Sequence, residues 1–247
     1  MVSKAKIKYL KSLQVKKYRK QEQSFVVEGA KSVQELLGST FETVWVASTA
    51  TFLQSHAKLL SDKKIEIVEA SPNELSQLGS FQTNDAAIAV ARIKQNALPK
   101  WHDEFGLILD DLRDPGNVGT IIRTADWYGI RNIIASEETA DFYNPKTISA
   151  TMGSFCRVNV FYTRLNEFLS QNNLPVYGAF MNGSDVHQTD FGKSGLVVIG
   201  NESNGISAEV SRFVQQRITI PRIGGAESLN AGIATGIILD NIFRSKK

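Results

Sequence analysis

The sequence predicts an α/β chain in two parts, on three observations. β-rich runs alternate with helical segments of about ten residues along nearly the whole length, which is the pattern of an α/β layer. A polar stretch at residues 94–104, containing Pro99, interrupts that alternation and reads as a linker between residues 1–93 and 105–247. In the second part, three turns rich in glycine and asparagine each follow a strand and precede a helix, where ligands of open parallel sheets gather.

The first element is basic. Lys4, Lys6, Lys8, Lys11, Lys16, Lys17, Arg19 and Lys20 occur among residues 1–20 without a single acid. Ile7, Leu10 and Leu13 recur between them at helical spacing, with Tyr9 and Tyr18 interleaved, so the block predicts a basic amphipathic helix rather than a floppy tail. A strand at 25–28, a helix at 30–37, a strand at 43–46, a helix at 51–60 and a strand at 65–68 follow. Ser71 before Pro72, with Glu74 three residues on, marks the start of a helix reaching Leu78, and a strand at 86–93 closes this half. The second half opens with a buried-looking strand at 106–110 and continues with a helix at 119–128, a strand at 132–135 and a helix at 145–151. Strands are expected at 158–161, 176–180, 196–199 and 218–220. Residues 229–243, apolar on most sides, predict a buried helix.

Composition narrows the function. The chain has 247 residues, 42% of them hydrophobic, enough for one or two domains with real cores. Of its 28 bases, 20 lie beyond residue 20, against all 25 acids, so the excess positive charge sits in the N-terminal block. Alone, such a block is an arm for a polyanion or a solvated helix face. No processing site follows it, so it reads as part of the mature protein. The single cysteine, Cys156, forbids an intrachain disulfide and fits a reducing, cytoplasmic setting. His56, His102 and His187 are far apart and form no zinc-type pair, so no metal is expected. No apolar run approaches the roughly 20 residues that cross a bilayer. A Gly-x-Gly-x-x-Gly turn, a phosphate-binding loop and a Gly-x-Ser-x-Gly elbow are all missing; Gly192-Lys193-Ser194 has His187 where the phosphate loop needs glycine.

The three turns carry the chemistry. The first runs through Asp114-Pro115-Gly116-Asn117-Val118-Gly119-Thr120-Ile121-Ile122-Arg123, with Asn117 at the turn into a helix and Arg123 near the end of its second turn. The second is Ile199-Gly200-Asn201-Glu202-Ser203-Asn204-Gly205-Ile206, too rich in side-chain-bonding residues for an ordinary connection. The third is Ile220-Pro221-Arg222-Ile223-Gly224-Gly225-Ala226-Glu227-Ser228-Leu229-Asn230-Ala231. Each has a plain structural reading: a cap and a solvated arginine in the first, a capping Glu202 in the second, Ser228 as N-cap in the third. Asn230 fits an apolar helix poorly unless it bonds something.

In this order, the three turns resemble the SpoU (TrmH) family of RNA ribose 2′-O-methyltransferases within the SPOUT class. The likeness covers residues 106–247, and residues 1–95, entered through Phe25-Val26-Val27-Glu28-Gly29, are more loosely similar to the ribosomal-protein-like substrate-binding domain of many members. The resemblance implies a small N-terminal α/β domain followed by an α/β domain with a deep C-terminal trefoil knot, which the general connection rule excludes and no periodicity predicts. It implies S-adenosylmethionine as cofactor, with the adenine near Ala179, Gly200, Ile220 and Leu229. It also implies a homodimer through the knotted domain, for which residues 229–243 are a candidate interface.

Around the reacting ribose the resemblance places Asn117, Arg123, Glu202, Ser228 and Asn230. Arg123 is expected at the substrate phosphate and 2′-OH, with Asn117 and Glu202 orienting it and the nucleotide, and Ser228 with Asn230 at the reacting end. The family has regarded this arginine as general base. A guanidinium resists deprotonation even when buried, so a clamp stabilising the developing alkoxide is the simpler role, with Glu202 as the alternative proton acceptor. The expected partner is structured RNA, ribosomal before transfer RNA, contacted by Lys4, Lys8, Lys11, Lys16, Lys17, Arg19 and Lys20. The competing expectation is an RNA-binding protein of the same fold without catalysis.

Overall fold

The computed structural model describes residues 2–61, 65–80, 82–99 and 104–244. Residues 100–103, in the expected linker, lie outside the described residues. The helices are α1 (Lys4–Ser12), α2 (Lys16–Glu22), α3 (Ala30–Leu37), α4 (Ala50–Ser55), α5 (Ala57–Ser61), α6 (Pro72–Leu78), α7 (Pro115–Trp127), α8 (Pro145–Thr151), α9 (Leu165–Ser170), α10 (Ala208–Ser211) and α11 (Ala231–Arg244). The strands are β1 (Ser24–Glu28), β2 (Thr43–Ser48), β3 (Glu66–Glu69), β4 (Ala87–Arg92), β5 (Phe105–Leu109), β6 (Asn132–Ala135), β7 (Asn159–Tyr162), β8 (Val176–Asp185), β9 (Gly195–Ile199) and β10 (Gln216–Thr219). They form two compact units, Met1–Gln95 with Asp141–Cys156, and Asn96–Ala140 with Arg157–Lys247. Among the described residues, no helix is long and apolar enough to cross a membrane, and no cluster of potential metal ligands forms.

The first unit holds a four-stranded sheet in the order β1-β4-β2-β3, antiparallel except for β2 with β3. β1 is buried along its whole length because both faces of the sheet are covered. Val26 packs with Leu10, Leu13, Leu75 and Leu78. Its neighbour Phe25, on the opposite face by strand alternation, meets the rings of Phe41, Tyr143 and Phe155 at 5.5, 4.7 and 6.1 Å between centroids. Tyr143 and Phe155 flank α8, which explains why residues 141–156, read from sequence among the elements of the second half, group with the first unit. The Tyr143 hydroxyl accepts from the Lys94 N–H at 3.0 Å, and burial pushes its pKa up to about 12. α6 begins as predicted, with a complete Ser71–Glu74 capping box. The helix expected over 51–60 is instead two short ones separated at His56, whose backbone leaves the helical region and whose ring stacks on Phe52 at 4.1 Å.

The basic block also departs from expectation, forming two helices with a turn at residues 13–15. Arg19 holds that turn. Its Nη1 donates to the carbonyls of Leu13 and Gln14 at 2.9 and 2.8 Å, and its Nε and Nη2 donate to Asp141 Oδ2 at 3.2 and 2.6 Å. At 2% exposure, Arg19 is a buried structural residue and not the RNA contact that its sequence neighbours suggested. Lys4, Lys8, Lys11, Lys16, Lys17 and Lys20 are exposed. Lys6 pairs with Glu66 and lies over the Trp45 ring.

The second unit is a six-stranded parallel sheet in the order β10-β8-β9-β5-β6-β7. Its central strands read as continuous apolar runs because both faces are covered. Ile108, Ile134 and Val198 pack with Leu165 and Leu169 of α9, a helix absent from the sequence expectation. α7 and α11 pack together, with glycines where they approach most closely: a Cβ on Gly232 would lie 2.9 Å from Thr120 Cγ2. α7 begins at Pro115 rather than 119, because the Asp114 carboxylate caps it, accepting the Asn117 N–H at 2.8 Å, and Pro115 fits the first turn. β8 extends to Asp185, and its pairing with β10 jumps from Gly178 to Ser184, leaving residues 179–183 unpaired to β10.

The buried pair supplies a test. Asp141→Ala strands the Arg19 guanidinium and is expected to lower unfolding stability by about 3 kcal/mol, read from urea midpoints, whereas Arg19→Met with Asp141→Ala recovers most of the loss. A single-variant loss below about 0.5 kcal/mol would show that the pair does not hold the turn.

Candidate active site

β5 and β9 are adjacent and parallel, so the turns that leave their C-terminal ends are neighbours. The Asp110 N–H extends the ladder by one bond to Ile199 O at 2.9 Å, and its buried carboxylate accepts the Ser207 N–H at 2.7 Å. Asp111 takes a left-handed conformation, φ 56°, and its carbonyl accepts Asn201 Nδ2 at 2.7 Å. Asn201 Oδ1 in turn accepts the N–H groups of Ser203 and Asn204 at 2.9 and 3.1 Å, and the Asn201 backbone exchanges two bonds with Gly205. The loop is so tight that a Cβ on Gly200 would sit 2.3 Å from the Gly205 carbonyl carbon. Sequence reasoning assigned no role to Asp110, Asp111 or Asn201. The signal was present in two acids ending a wholly apolar strand.

The loop presents Glu202, whose Oε1 accepts Asn117 Nδ2 from the first turn of α7 at 2.7 Å. Asn117 Oδ1 accepts Asn230 Nδ2 at 2.7 Å, across 113 positions of sequence. Asn230 Oδ1 accepts the N–H groups of Gly232 and Ile233 at 2.9 and 3.3 Å, which makes Asn230 the cap of α11. The direction of the whole chain follows from that cap. With its oxygen turned to the helix, Asn230 has only its amide nitrogen for Asn117, and Asn117 then has only its nitrogen for Glu202. The carboxylate is the terminal acceptor, and its Oε2 has no partner among the described residues.

A cavity of about 1070 Å³ adjoins this chain. Its walls include Ala179, Gly200, Ile220 and Leu229, all four of the residues expected around an adenine, together with Glu202 and Ser228. The unpaired residues 179–182 of β8 form one side. Ser228 is exposed and does not cap α11, and Glu202 does not cap the helix after it, where Ser207 accepts from Val210. Arg123 does not join the cluster. It lies on the exposed side of α7, without a hydrogen bond or ion pair among the described residues, in line with Thr120 and Trp127. Trp127 is 84% exposed and Ile233 of α11 56% exposed.

Comparison with known proteins agrees with this arrangement. Residues 104–240 match the model of the SpoU rRNA Methylase family, and residues 4–89 match the MRM3-like substrate binding domain. The 23S rRNA (guanosine(2553)-2′-O)-methyltransferase RlmP of Bacillus subtilis is 28% identical over 95% of this chain and 94% of its own length. Among solved structures, a TrmH-family protein of Porphyromonas gingivalis superposes with a TM-score of 0.87 and 34% identity, covering 99% of each chain. An rRNA methyltransferase of Sinorhizobium meliloti, solved with AdoMet bound, superposes with a TM-score of 0.89 and 28% identity, covering 99% of this chain and 97% of that one.

The role of Asn230 as a cap is separable from its bond to Asn117. Asn230→Asp keeps the capping oxygen and is expected to hold the urea midpoint within about 0.5 kcal/mol of the original, whereas Asn230→Ala loses about 1 kcal/mol. Equal losses in the two variants would refute the cap and, with it, the deduced direction of the chain.

Proposed function

The chain belongs to the SpoU rRNA methylase family, and on that premise we propose that it methylates a ribose 2′-OH of structured RNA with S-adenosylmethionine as methyl donor. The observation that carries this reading is the chain Asn230–Asn117–Glu202, which draws the three turns together beside the cavity. The cavity suits the cofactor. Its volume is at the upper end of the roughly 300–1,000 Å³ typical of small-molecule sites, and its Ala179, Ile220 and Leu229 walls match the faces of an adenine, with Gly200 beside them. Bound there, S-adenosylmethionine supplies a methyl group on a sulfonium, whose positive charge disappears as the methyl leaves.

The residues of the chain do the rest. Glu202, fixed through Oε1 by a neutral amide, has Oε2 to accept the proton of the attacking hydroxyl. Asn117 holds that carboxylate, and Asn230 holds Asn117 from the α11 cap. Ser228 lies at the reacting end of the cavity wall. Arg123 clamps the substrate phosphate and stabilises the developing alkoxide. Because Arg123 faces away from the cluster of its own chain, we place it in a site completed by a second copy, through a homodimer formed on the exposed α7–α11 face with Trp127 and Ile233 at its centre. Family membership further supports a trefoil knot in the second domain, residues 105–247, a linker at 94–104, and an RNA-binding first domain at 1–93. There, Lys4, Lys8, Lys11, Lys16, Lys17 and Lys20 contact phosphates. Ribosomal RNA is the favoured substrate, as the family description and the Bacillus subtilis relative suggest, with the cytoplasm as the proposed compartment. The reading as a binder without catalysis finds no support, since the relatives are named as methyltransferases and the five polar residues are all present.

Three measurements test this reading. Labelled methyl transfer from S-adenosylmethionine to ribosomal RNA from a strain lacking the protein is expected to give one 2′-O-methylated nucleotide. Glu202→Gln is expected to lower the single-turnover rate by about 10²- to 10⁴-fold with cofactor affinity by titration calorimetry little changed; a near-original rate would remove Glu202 as proton acceptor. Mixing inactive Arg123→Ala and Glu202→Ala chains is expected to restore about a quarter of the sites, because each mixed dimer holds one intact site. Absence of any recovery would place Arg123 and Glu202 in the same subunit's site.

A further inference from the structure

Asp111 stands in the left-handed region although it carries a side chain, and such a residue relaxes out of that region unless its surroundings hold it. Its carboxylate accepts Arg113 Nε at 2.8 Å, but Arg113 is exposed and water weakens the pair. The buried hold comes from the turn that follows β6. The Asp111 N–H donates to Ser136 Oγ at 3.0 Å. Ser136 Oγ lies 3.0 Å from Thr139 Oγ1, which donates to Leu109 O at 3.1 Å. The N–H groups of Ser136 and Ala140 donate to Leu109 O and Leu112 O at 2.9 and 2.8 Å, so residues 136–140 grip the end of β5 at several successive points. Ser136 and Thr139 are both buried.

The direction of these bonds is settled by counting protons. Each hydroxyl has one to give, and a carbonyl can only accept, so Thr139 spends its proton on Leu109 O. Ser136 must then donate to Thr139, and a lone pair of Ser136 receives the Asp111 N–H. Asp111 is therefore bonded on both sides, through its N–H toward β6 and through its carbonyl to Asn201 Nδ2 toward β9. Asn201 in turn binds the N–H groups of Ser203 and Asn204, the two residues after Glu202. We propose that Ser136 and Thr139 are positioning residues for methyl transfer: their paired hydroxyls hold Asp111 left-handed, and through the Asp111 carbonyl and Asn201 they aim Glu202. Neither side chain lines the cavity. Without the pair, Asp111 relaxes to an ordinary conformation, and its carbonyl turns away from Asn201. This role rests on the reading of Glu202 as proton acceptor.

The experiment measures single-turnover methylation of ribosomal RNA from a strain lacking the protein, with the full-length chain and S-adenosylmethionine both saturating so that binding does not enter. Ser136→Ala is expected to slow the reaction by about 10- to 100-fold, the scale for a reacting group displaced by up to about 1 Å. In a Glu202→Gln background no carboxylate is left to aim, and there the same substitution is expected to change the rate by less than about twofold. A merely structural role lowers the folded fraction and slows both backgrounds alike. Thr139→Val keeps the shape and drops the hydroxyl, and it is expected to be slow; Thr139→Ser keeps the hydroxyl and is expected to retain the original rate. That second pair answers the question if Ser136→Ala does not fold. An original rate in Ser136→Ala, or equal losses in the two backgrounds, overturns the positioning role alone when Glu202→Gln is itself slow. Equal rates for Thr139→Val and Thr139→Ser overturn it in favour of packing. A near-original rate in Glu202→Gln overturns the underlying reading of the proton acceptor.

Discussion

The site depends on how β5 ends. A parallel ladder between β5 and β9 brings two loops together but does not shape them, and the shaping falls to Asp110 and Asp111. One fixes the far end of the 200–207 loop through Ser207, the other its near end through Asn201. Asp111 does this in a left-handed conformation that costs about 1 kcal/mol for a residue with a side chain, tolerated because it turns a carbonyl toward Asn201. Held at both ends, the loop can present Glu202 in one direction, and the two asparagine bonds then have a fixed acceptor. Without that hold, Asn117 and Asn230 would have no reason to align.

The first unit uses the same device in another setting. A buried guanidinium with four hydrogen bonds does for the α1–α2 turn what the strand-end acids do for the site: it converts a short, marginal element into a directed one. The cost of burying Arg19 is offset by bonding four of its five N–H donors, and the benefit is directional, because an apolar side chain in that place would leave the helix freer to rotate. In both units, hydrogen-bonded polar groups set geometry, and apolar packing supplies the mass of stability around them.

Most strands and helices were legible in the sequence because they follow local rules. The capping box at Ser71 and Glu74, the apolar runs at 107–109 and 197–199, and the alternation of elements all act within about ten residues. The three turns were legible as turns, and three of the residues that the family resemblance grouped, Asn117, Glu202 and Asn230, are joined by hydrogen bonds. What local rules missed was decided by distant partners. Nothing near Arg19 announces Asp141, so a buried arginine read as one more surface base. The position of residues 141–156 was hidden for the same reason, because the rings that hold them, Phe25 and Phe41, lie more than a hundred positions away. The start of α7 was misread for a local reason, Asp114 being a better cap than the glycines that follow.

The choice of asparagines at the centre of the site has a chemical logic. A carboxylate that must accept a proton needs to be held without losing its charge. A lysine or arginine at position 117 would hold Glu202 as firmly, yet it would place a permanent cation on the group whose negative charge drives the transfer. A neutral amide donates one hydrogen bond and adds no charge, and a second amide anchored on a helix terminus fixes the first. In the proposed reading, the positive charge for the phosphate and the developing alkoxide comes from Arg123, outside this chain of bonds. Its separation from Glu202 would then keep clamp and base from neutralising each other before the nucleotide arrives. On that reading the separation is a reason for a site shared between two copies, beyond the area their contact would bury.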